Sequence, residues 1–265
     1  MKLLDTNGGN TKIAKTNKGA DIRYAGLSLF PNTKICAGSK AAGCLDACLV
    51  SAGRGRFDNV ANGRKRKTEW FMSDPEGFKE QLNKELSNFE RLCSKQGKQP
   101  VVRLNTISDI DWADVISLHP NIIFLDYTKV AKRLANRLPN QRLIFSYSGR
   151  SQYAGNVSEA LQHDTPIAVV FKNGMPKTFL GRRVIDGDQS DWLNANSGPV
   201  IVGLKAKLAS IPAAITMFVA FFIIHASDPI GKKEKALLYL ICFVVIFLTG
   251  AGKYSLDGLL NKNKH

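Results

Sequence analysis

The chain is short of acid and of cysteine, and its first residues are short of apolar side chains, and each shortage points away from something. Asp and Glu number 22 against 37 Lys and Arg, leaving a formal charge of +15 over 265 residues. Such a balance draws the chain to polyanions without implying sequence-specific readout. Cysteine occurs only five times. An odd number excludes a complete disulfide framework, so metal or reactive roles are the better reading in a cytoplasmic domain. Residues 1–10 are polar and rich in Gly and Asn, without the apolar core of a signal peptide. The expectation is a soluble part that stays in the cytoplasm.

Charge is missing altogether from two runs, LASIPAAITMFVAFFII (208–224) and ALLYLICFVVIFLTGAG (236–252). A bilayer core about 30 Å thick needs roughly 20 apolar helical residues. These runs lack strand alternation, so a two-helix transmembrane hairpin is expected, with a buried helical pair as the alternative. Lys205, Lys207, Lys253, Lys262 and Lys264 flank its outer ends, and Lys232, Lys233 and Lys235 lie in its loop. This placement favours both termini inside. The expected division is 1–207, a basic α/β domain, and 208–265, the hairpin, with no Gly/Ser- or Pro-rich linker between. The expected setting is a two-pass membrane protein, in contact with lipid and open to oligomerisation through the hairpin.

Before that switch the chain alternates. Short apolar runs at 101–105, 121–127, 142–147, 167–171 and 200–204 read as strands, and 112–118, 130–138 and 157–162 between them as helices. The pattern predicts βα units around a parallel sheet, open or barrel-like. Upstream, 41–52 and 64–72 read as helices. Asp74-Pro75-Glu76 starts a helix whose face is Phe78, Leu82, Leu86, Phe89 and Cys93, which makes Cys93 a core residue.

Ligands of parallel sheets bind at the carboxyl ends of the strands. Those ends carry Arg103, Asn105 and Asp109, then Asp126, Tyr127 and Lys129, then Ser146 to Ser148. Cys36, Cys44 and Cys48 are the second group; the last two stand at i, i+4, on one helix face. Three thiolates suit an iron–sulfur cluster with one open iron. They equally suit zinc, completed by His119, His163 or water, or simple packing beside Ala41, Ala42 and Ala47. The third group is basic: Arg54, Arg56, Arg64, Lys65, Arg66 and Lys67, with Phe57, Trp70 and Phe71 interleaved. It suits phosphate contact with stacking on nucleic acid, a solvated helix face, or docking on anionic lipid. Asp186, Gly187 and Asp188, with Asp191 close behind, could bind a hard cation or orient a polar substrate, but read first as a solvated turn.

Several segments in order carry a resemblance. They are AGCLDACLVSAGRGRF (42–57), VRLNTISDIDW (102–112), FLDYTK (124–129), IFSYS (144–148), VIDGDQSD (184–191) and IVGLKAK (201–207). Together they resemble the phage gene product 88 family over most of 1–207. The resemblance implies no particular chemistry. More distantly, three clustered cysteines before a β/α array are similar to phage proteins of the radical S-adenosylmethionine type. The spacing here departs from that family's, in which three and then two residues separate the cysteines. There is also no clear glycine-rich segment for the cosubstrate. The stretch 217–260 is similar to the last two membrane helices of DoxX-like proteins, which normally have about four. Either a fusion or two joined reading frames accounts for it.

The leading expectation is thus a metal or iron–sulfur enzyme-like domain acting on a phosphate-containing or nucleic-acid substrate. In that reading Arg103 and Lys129 hold an anionic group, Asp109 or Asp126 serves as general base, and Asn105 and Tyr127 contact substrate. The alternatives are a non-catalytic nucleic-acid-binding accessory protein and a membrane component in which the hairpin dominates.

Overall fold

A computed structural model describes residues 1–6, 21–44, 48, 57–172, 174–205 and 216–249. The parallel part is built from β2 (Ile22–Leu27), β3 (Gln99–Arg103), β4 (Ile123–Thr128), β5 (Gln141–Ser146) and β6 (Ile167–Phe171). Strand neighbours follow chain order and pair in parallel, with Ala25 opposite Val102, Val102 opposite Phe124, and Leu125 opposite Arg142. Consecutive strands therefore step across the sheet in one direction and deliver their carboxyl ends to one edge. Most of their residues are buried, as expected for strands covered on both faces.

The sheet extends at both sides. β1 (Leu4–Asp5) adds antiparallel to β2. Beyond β6 come β9 (Ile201–Lys205), β8 (Arg182–Asp186) and β7 (Thr178–Phe179), so the order among the described strands is a line from β1 to β7. The expected mixed α/β architecture with a largely parallel sheet is present. The β7–β8 hairpin had not been expected. Its turn is Leu180-Gly181, both at positive φ (50° and 73°), the conformation that matches strand twist in two-residue hairpins.

The helices are α1 (Ser39–Ala42), α2 (Asp58–Ser73), α3 (Pro75–Lys95), α4 (Ala113–Ser117), α5 (Lys132–Ala135), α6 (Ala154–Leu161), α7 (Asp191–Ala195) and α8 (Ile230–Thr249). α3 forms as its sequence dictates. Asp74 caps it by accepting from the Gly77 amide at 3.0 Å, and Pro75 fills the first turn. Its buried face is Phe78, Leu82, Leu86, Phe89 and Cys93, packed in one cluster with Leu4, Ala25, Leu27, Val102 and Phe124. Each such side chain contributes roughly 1.5–3 kcal/mol on burial. Phe78 also meets Trp70 and Phe71 edge-on, both at 5.3 Å between ring centroids. The expected helix at 41–52 differs: α1 ends at Gly43, which turns left-handed at φ 63°. Residues 45–47 and 49–56 lie outside the described residues.

The chain divides into two compact units. One holds Met1–Val169 with Pro176–Gly203, and the other holds Val170–Met175 with the chain from Leu204 onward. In the second unit, residues 216–219 are α-helical and Ala220–Ile224 form a π-helical turn ending at His225. His225 Nδ1 bonds Asp228 Oδ2 at 2.8 Å before α8 begins. Among the described residues no helix is long and apolar enough to cross a membrane. The transmembrane hairpin expected from the sequence is therefore without support here, for a geometric reason. Lys232, Lys233, Glu234 and Lys235 occupy the first turns of α8, so its uncharged part starts at Ala236. From there to Thr249 it rises about 21 Å at 1.5 Å per residue, short of a bilayer core. The parts of the two runs at 208–215 and 250–252 lie outside the described residues.

One contact ties the N terminus to α3. The Leu3 amide donates to both Glu85 oxygens, at 2.9 and 3.0 Å, and the Leu4 amide donates at 2.8 Å. Glu85→Ala leaves two half-buried amides without an acceptor and is expected to cost about 1–3 kcal/mol, read as a lower urea midpoint at unchanged slope. An unchanged midpoint would show that β1 frays without consequence.

Candidate functional site

The carboxyl ends of β3 and β4 are joined by a buried polar knot. The Asn105 amide donates to Asp126 Oδ1 at 2.8 Å, and its side-chain Nδ2 donates to Asp126 Oδ2 at 3.1 Å and to the Ile110 carbonyl at 3.0 Å. Asn105 Oδ1 accepts from Ser108 Oγ at 2.8 Å, the Ile110 amide at 2.9 Å and Trp112 Nε1 at 3.2 Å. Every polar atom of that side chain is committed inside the protein. Burial pushes the Asp126 carboxyl up to about 6, against the opposing pull of Arg133 and the Asn105 donors.

Asp109 forms a second clasp. It accepts from the Lys129 amide at 2.7 Å, Thr128 Oγ1 at 3.2 Å and Arg133 Nη1. Its own amide donates to the Ile35 carbonyl at 2.8 Å, and an isolated bridge pairs it with Cys36. The loop carrying Cys36 is thus fastened to the end of β4. Gly38 packs so closely on Lys129 that a Cβ there would collide with it. Ser148 Oγ donates to the Ala42 carbonyl at 3.0 Å, which fastens the other end of α1 to the end of β5.

These fastenings create a cavity of about 240 Å³. Cys36, Cys44 and Cys48 line it, opposite Arg103, Asn105, Asp109, Tyr127 and Lys129. Of the expected catalytic and metal residues, all but Asp126 line this cavity, and Asp126 is fully buried. None of the three cysteines is in a disulfide. Burial pushes the Cys36 thiol up to about 11 and raises that of Cys44, where Lys129 opposes it. Lys129 is itself lowered by burial, with Cys44 and Asp109 opposing. Its Nζ donates to the carbonyls of Ser146 and Tyr147 at 3.2 and 3.5 Å.

Arg103 and Tyr127 share a partner that sequence reasoning assigned to a solvated turn. Asp191, at the start of α7, accepts from Arg103 Nη1 at 3.1 Å and Tyr127 Oη at 2.9 Å, and the guanidinium lies 4.6 Å over the Tyr127 ring. The available signal was Ser190-Asp191, a cap-and-acid helix start. Ser39 was also missed; it lines the cavity, and its Oγ is buried without a hydrogen-bond partner among the described residues.

The remaining candidates are placed elsewhere. Neither His119 nor His163 lines the cavity, and His119 Nε2 pairs with Asn83 Oδ1 at 3.1 Å. Among the described residues, no three His, Cys, Asp or Glu side chains are already gathered as a metal-ligand set, although the three thiols share one cavity. Of the basic stretch, Arg54 and Arg56 lie outside the described residues. Lys67 Nζ is half-buried and donates to the Leu3 carbonyl at 2.7 Å, Lys65 stands 5.2 Å over the Phe30 ring, and Arg66 is exposed.

A parallel β/α domain with a cysteine-lined cavity at its strand ends is the class that fold and site define. The family model of gene product 88 matches residues 1–216, and the chain belongs to that family of phage proteins. The match does not reach the tail, whose DoxX-like resemblance finds no support in the comparisons. No curated protein and no solved structure matches the chain.

The raised Asp126 carboxyl makes stability pH-dependent with a definite sign. Its folded-state value lies above the ordinary 3.8, so its contribution is fully present below pH 4 and is lost as pH rises through about 6. Relative to Asp126→Asn, the wild type is expected to lose on the order of 2–3 kcal/mol between pH 4 and pH 7. Urea unfolding of both proteins across that range checks it, and parallel pH profiles would refute it.

Proposed function

We propose that the cavity is a metal centre, with an iron–sulfur cluster as the first choice and zinc as the second, serving a reaction on a small phosphate-containing substrate. The observation that carries this reading is the lining itself: three cysteines share one cavity at the strand ends with Arg103, Tyr127 and Lys129. The donor chemistry fits a soft metal. The buried Ser39 hydroxyl beside the thiols, lacking a partner among the described residues, fits a site meant for a non-protein group. Cys36, Cys44 and Cys48 would hold it, and a cluster with one open iron would supply redox or Lewis-acid chemistry there. With the histidines elsewhere, zinc would take water as its fourth ligand.

The protein's own residues have distinct tasks in this reading. Arg103, held flat by Tyr127 and Asp191, presents a fixed guanidinium, and Lys129 an ammonium already turned inward by two carbonyls. Both suit an anionic group. Asp109 is committed to Arg133, Thr128 and the Lys129 amide, and Asn105 to its knot, so both position loops rather than meet substrate. Asp126 is sealed beneath and is poorly placed as a general base. The thiols must lose protons on loading, so burial makes metal uptake favour higher pH. Protein prepared anaerobically is expected to carry iron with sulfide, or zinc, and Cys44→Ala to lose it. Metal-free wild type with native activity on a phosphorylated substrate would sink the proposal.

The tail supports a second reading, attachment to lipid with both termini on the cytoplasmic side. Phe222, Ile223, Ile224, Leu238 and Ile241 are each more than half exposed. Exposed apolar side chains in such density mark an interaction surface. The full chain is expected to sediment with membranes and resist alkaline carbonate. Recovery in the soluble fraction would refute attachment.

The nucleic-acid alternative rests on the basic stretch, where Lys67 is occupied by the Leu3 carbonyl and Arg64 is half-buried. Exposed Lys65 and Arg66 remain for phosphate contact, which supports it less than the whole stretch would.

A further inference from the structure

We infer that Ser39 is a positioning residue of the cysteine centre: its hydroxyl donates a hydrogen bond to a metal-bound sulfur, and so sets the reduction potential of the centre and its hold on metal. This rests on the reading of the cavity as a metal centre and adds to it a residue that acts through the thiols. Ser39 stands between two of the cysteines. Its amide donates to the Cys36 carbonyl at 3.0 Å, and its carbonyl accepts the Cys44 amide at 3.2 Å and the Cys44 thiol at 3.8 Å. Gly38 beside it is pressed against Lys129 without room for a Cβ, so the backbone carrying Ser39 is seated directly on the end of β4. Ser39 is 3% exposed, and it lines the cavity together with all three cysteines.

The contacts of the thiols show what loading would require. Cys36 Sγ donates to the Ile107 carbonyl at 3.7 Å, and Cys44 Sγ to the Ser39 carbonyl. Both acceptors suit a thiol that keeps its proton. A sulfur that has exchanged its proton for metal carries negative charge, faces those same carbonyl oxygens, and needs a donor instead. Most hydroxyls around the cavity are already spent. Thr106 Oγ1 donates to the Leu27 carbonyl at 2.6 Å, Ser108 Oγ to Asn105 Oδ1 at 2.8 Å, and Tyr127 Oη to Asp191 at 2.9 Å. Ser146 belongs to β5, whereas Ser39 belongs to the same segment as Cys36 and Cys44. Its Oγ has no partner among the described residues, and a buried hydroxyl is costly until an acceptor arrives. Rotation about one side-chain bond is enough to aim its proton. Hydrogen bonds to sulfur favour the more negative, reduced form of a cluster, and outer-shell partners of this kind hold the ligands of zinc as well.

The test uses the full chain purified anaerobically, with iron, sulfide and zinc measured, and compares wild type with Ser39→Ala, Ser39→Thr and Ser39→Val. Where iron is found, redox titration followed by visible absorption is expected to show a lower midpoint potential for Ser39→Ala, by about 59 mV for a 10-fold change in the one-electron equilibrium. Where zinc is found, competition with a chelator is expected to show about 10-fold weaker binding. Thr and Val share a shape and differ in the hydroxyl, so Ser39→Thr should stay near wild type and Ser39→Val should follow Ser39→Ala. That pair carries the comparison if near-UV circular dichroism shows the Ala variant to be poorly folded. An unchanged or raised potential, or an unchanged zinc affinity, in the Ala and Val variants would overturn the inference and leave the metal centre standing. A Thr variant that behaves as the Val variant would do the same. So would a Ser39→Ala protein that melts lower at unchanged potential and affinity, because its hydroxyl would then be spent on a protein partner. A wild type without metal would overturn the metal centre, and this role with it.

Discussion

The pairing of Asn105 with Asp126 is the constraint on which the rest of the site depends. It joins the ends of two adjacent parallel strands at the level where the chain must leave the sheet. Two backbone-directed bonds and the Trp112 indole fix the 105–112 loop as one piece. A buried carboxyl costs free energy unless its oxygens are satisfied, and here the satisfaction comes from the loop that the site requires. Loosening the knot would free Asp109, and with Asp109 the attachment of the Cys36 loop.

Around that knot the strand-end carboxylates are already occupied, Asp191 by Arg103 and Tyr127, Asp109 by Arg133 and backbone, and Asp126 by Asn105. Burial disfavours ionisation of the neighbouring thiols, pushing Cys36 up to about 11 and raising Cys44 against the pull of Lys129. The carboxylates, the natural candidates for proton transfer, act as structural fasteners here.

Much of the fold was legible in the sequence, and the reason is periodicity. The α3 face and its Asp74-Pro75 start follow from local chemistry, and the apolar runs place β3 to β6 and β9 to within a few residues. The gathering of Arg103, Asp109, Tyr127 and Lys129 near the cysteines was legible for a topological reason, because parallel strands bring their carboxyl ends together. What could not be read depended on distant partners. A helix was read over 41–52, but in the described residues it ends at Gly43, which turns left-handed beside Arg150, and Ala42 is paired with Ser148, 106 residues away. Lys67 looked like part of a nucleic-acid patch because its partner, the Leu3 carbonyl, lies 64 residues away. Asp191 looked solvated for the same reason. The β7–β8 hairpin is made of short, polar, half-exposed strands and carries no alternation to read. In the tail, hydrophobicity was evident, and the second run begins at Ala236 as read, but the lysines before it, read as loop, lie within α8.

The fastening of α1 has a consequence for how the protein is made. The cysteine loop emerges from the ribosome early, yet it is held by Asp109, Lys129, Ser148 and Arg150, all synthesised afterwards. At 5–20 residues per second, the interval between Ala42 and Ser148 lasts roughly 5–20 s. Throughout it the three thiols belong to an unanchored segment, open to oxidation or to binding in the wrong geometry. Enclosure of the cysteines therefore waits on completion of β5, and a chain truncated before Ser148 would display its cysteines without ever enclosing them.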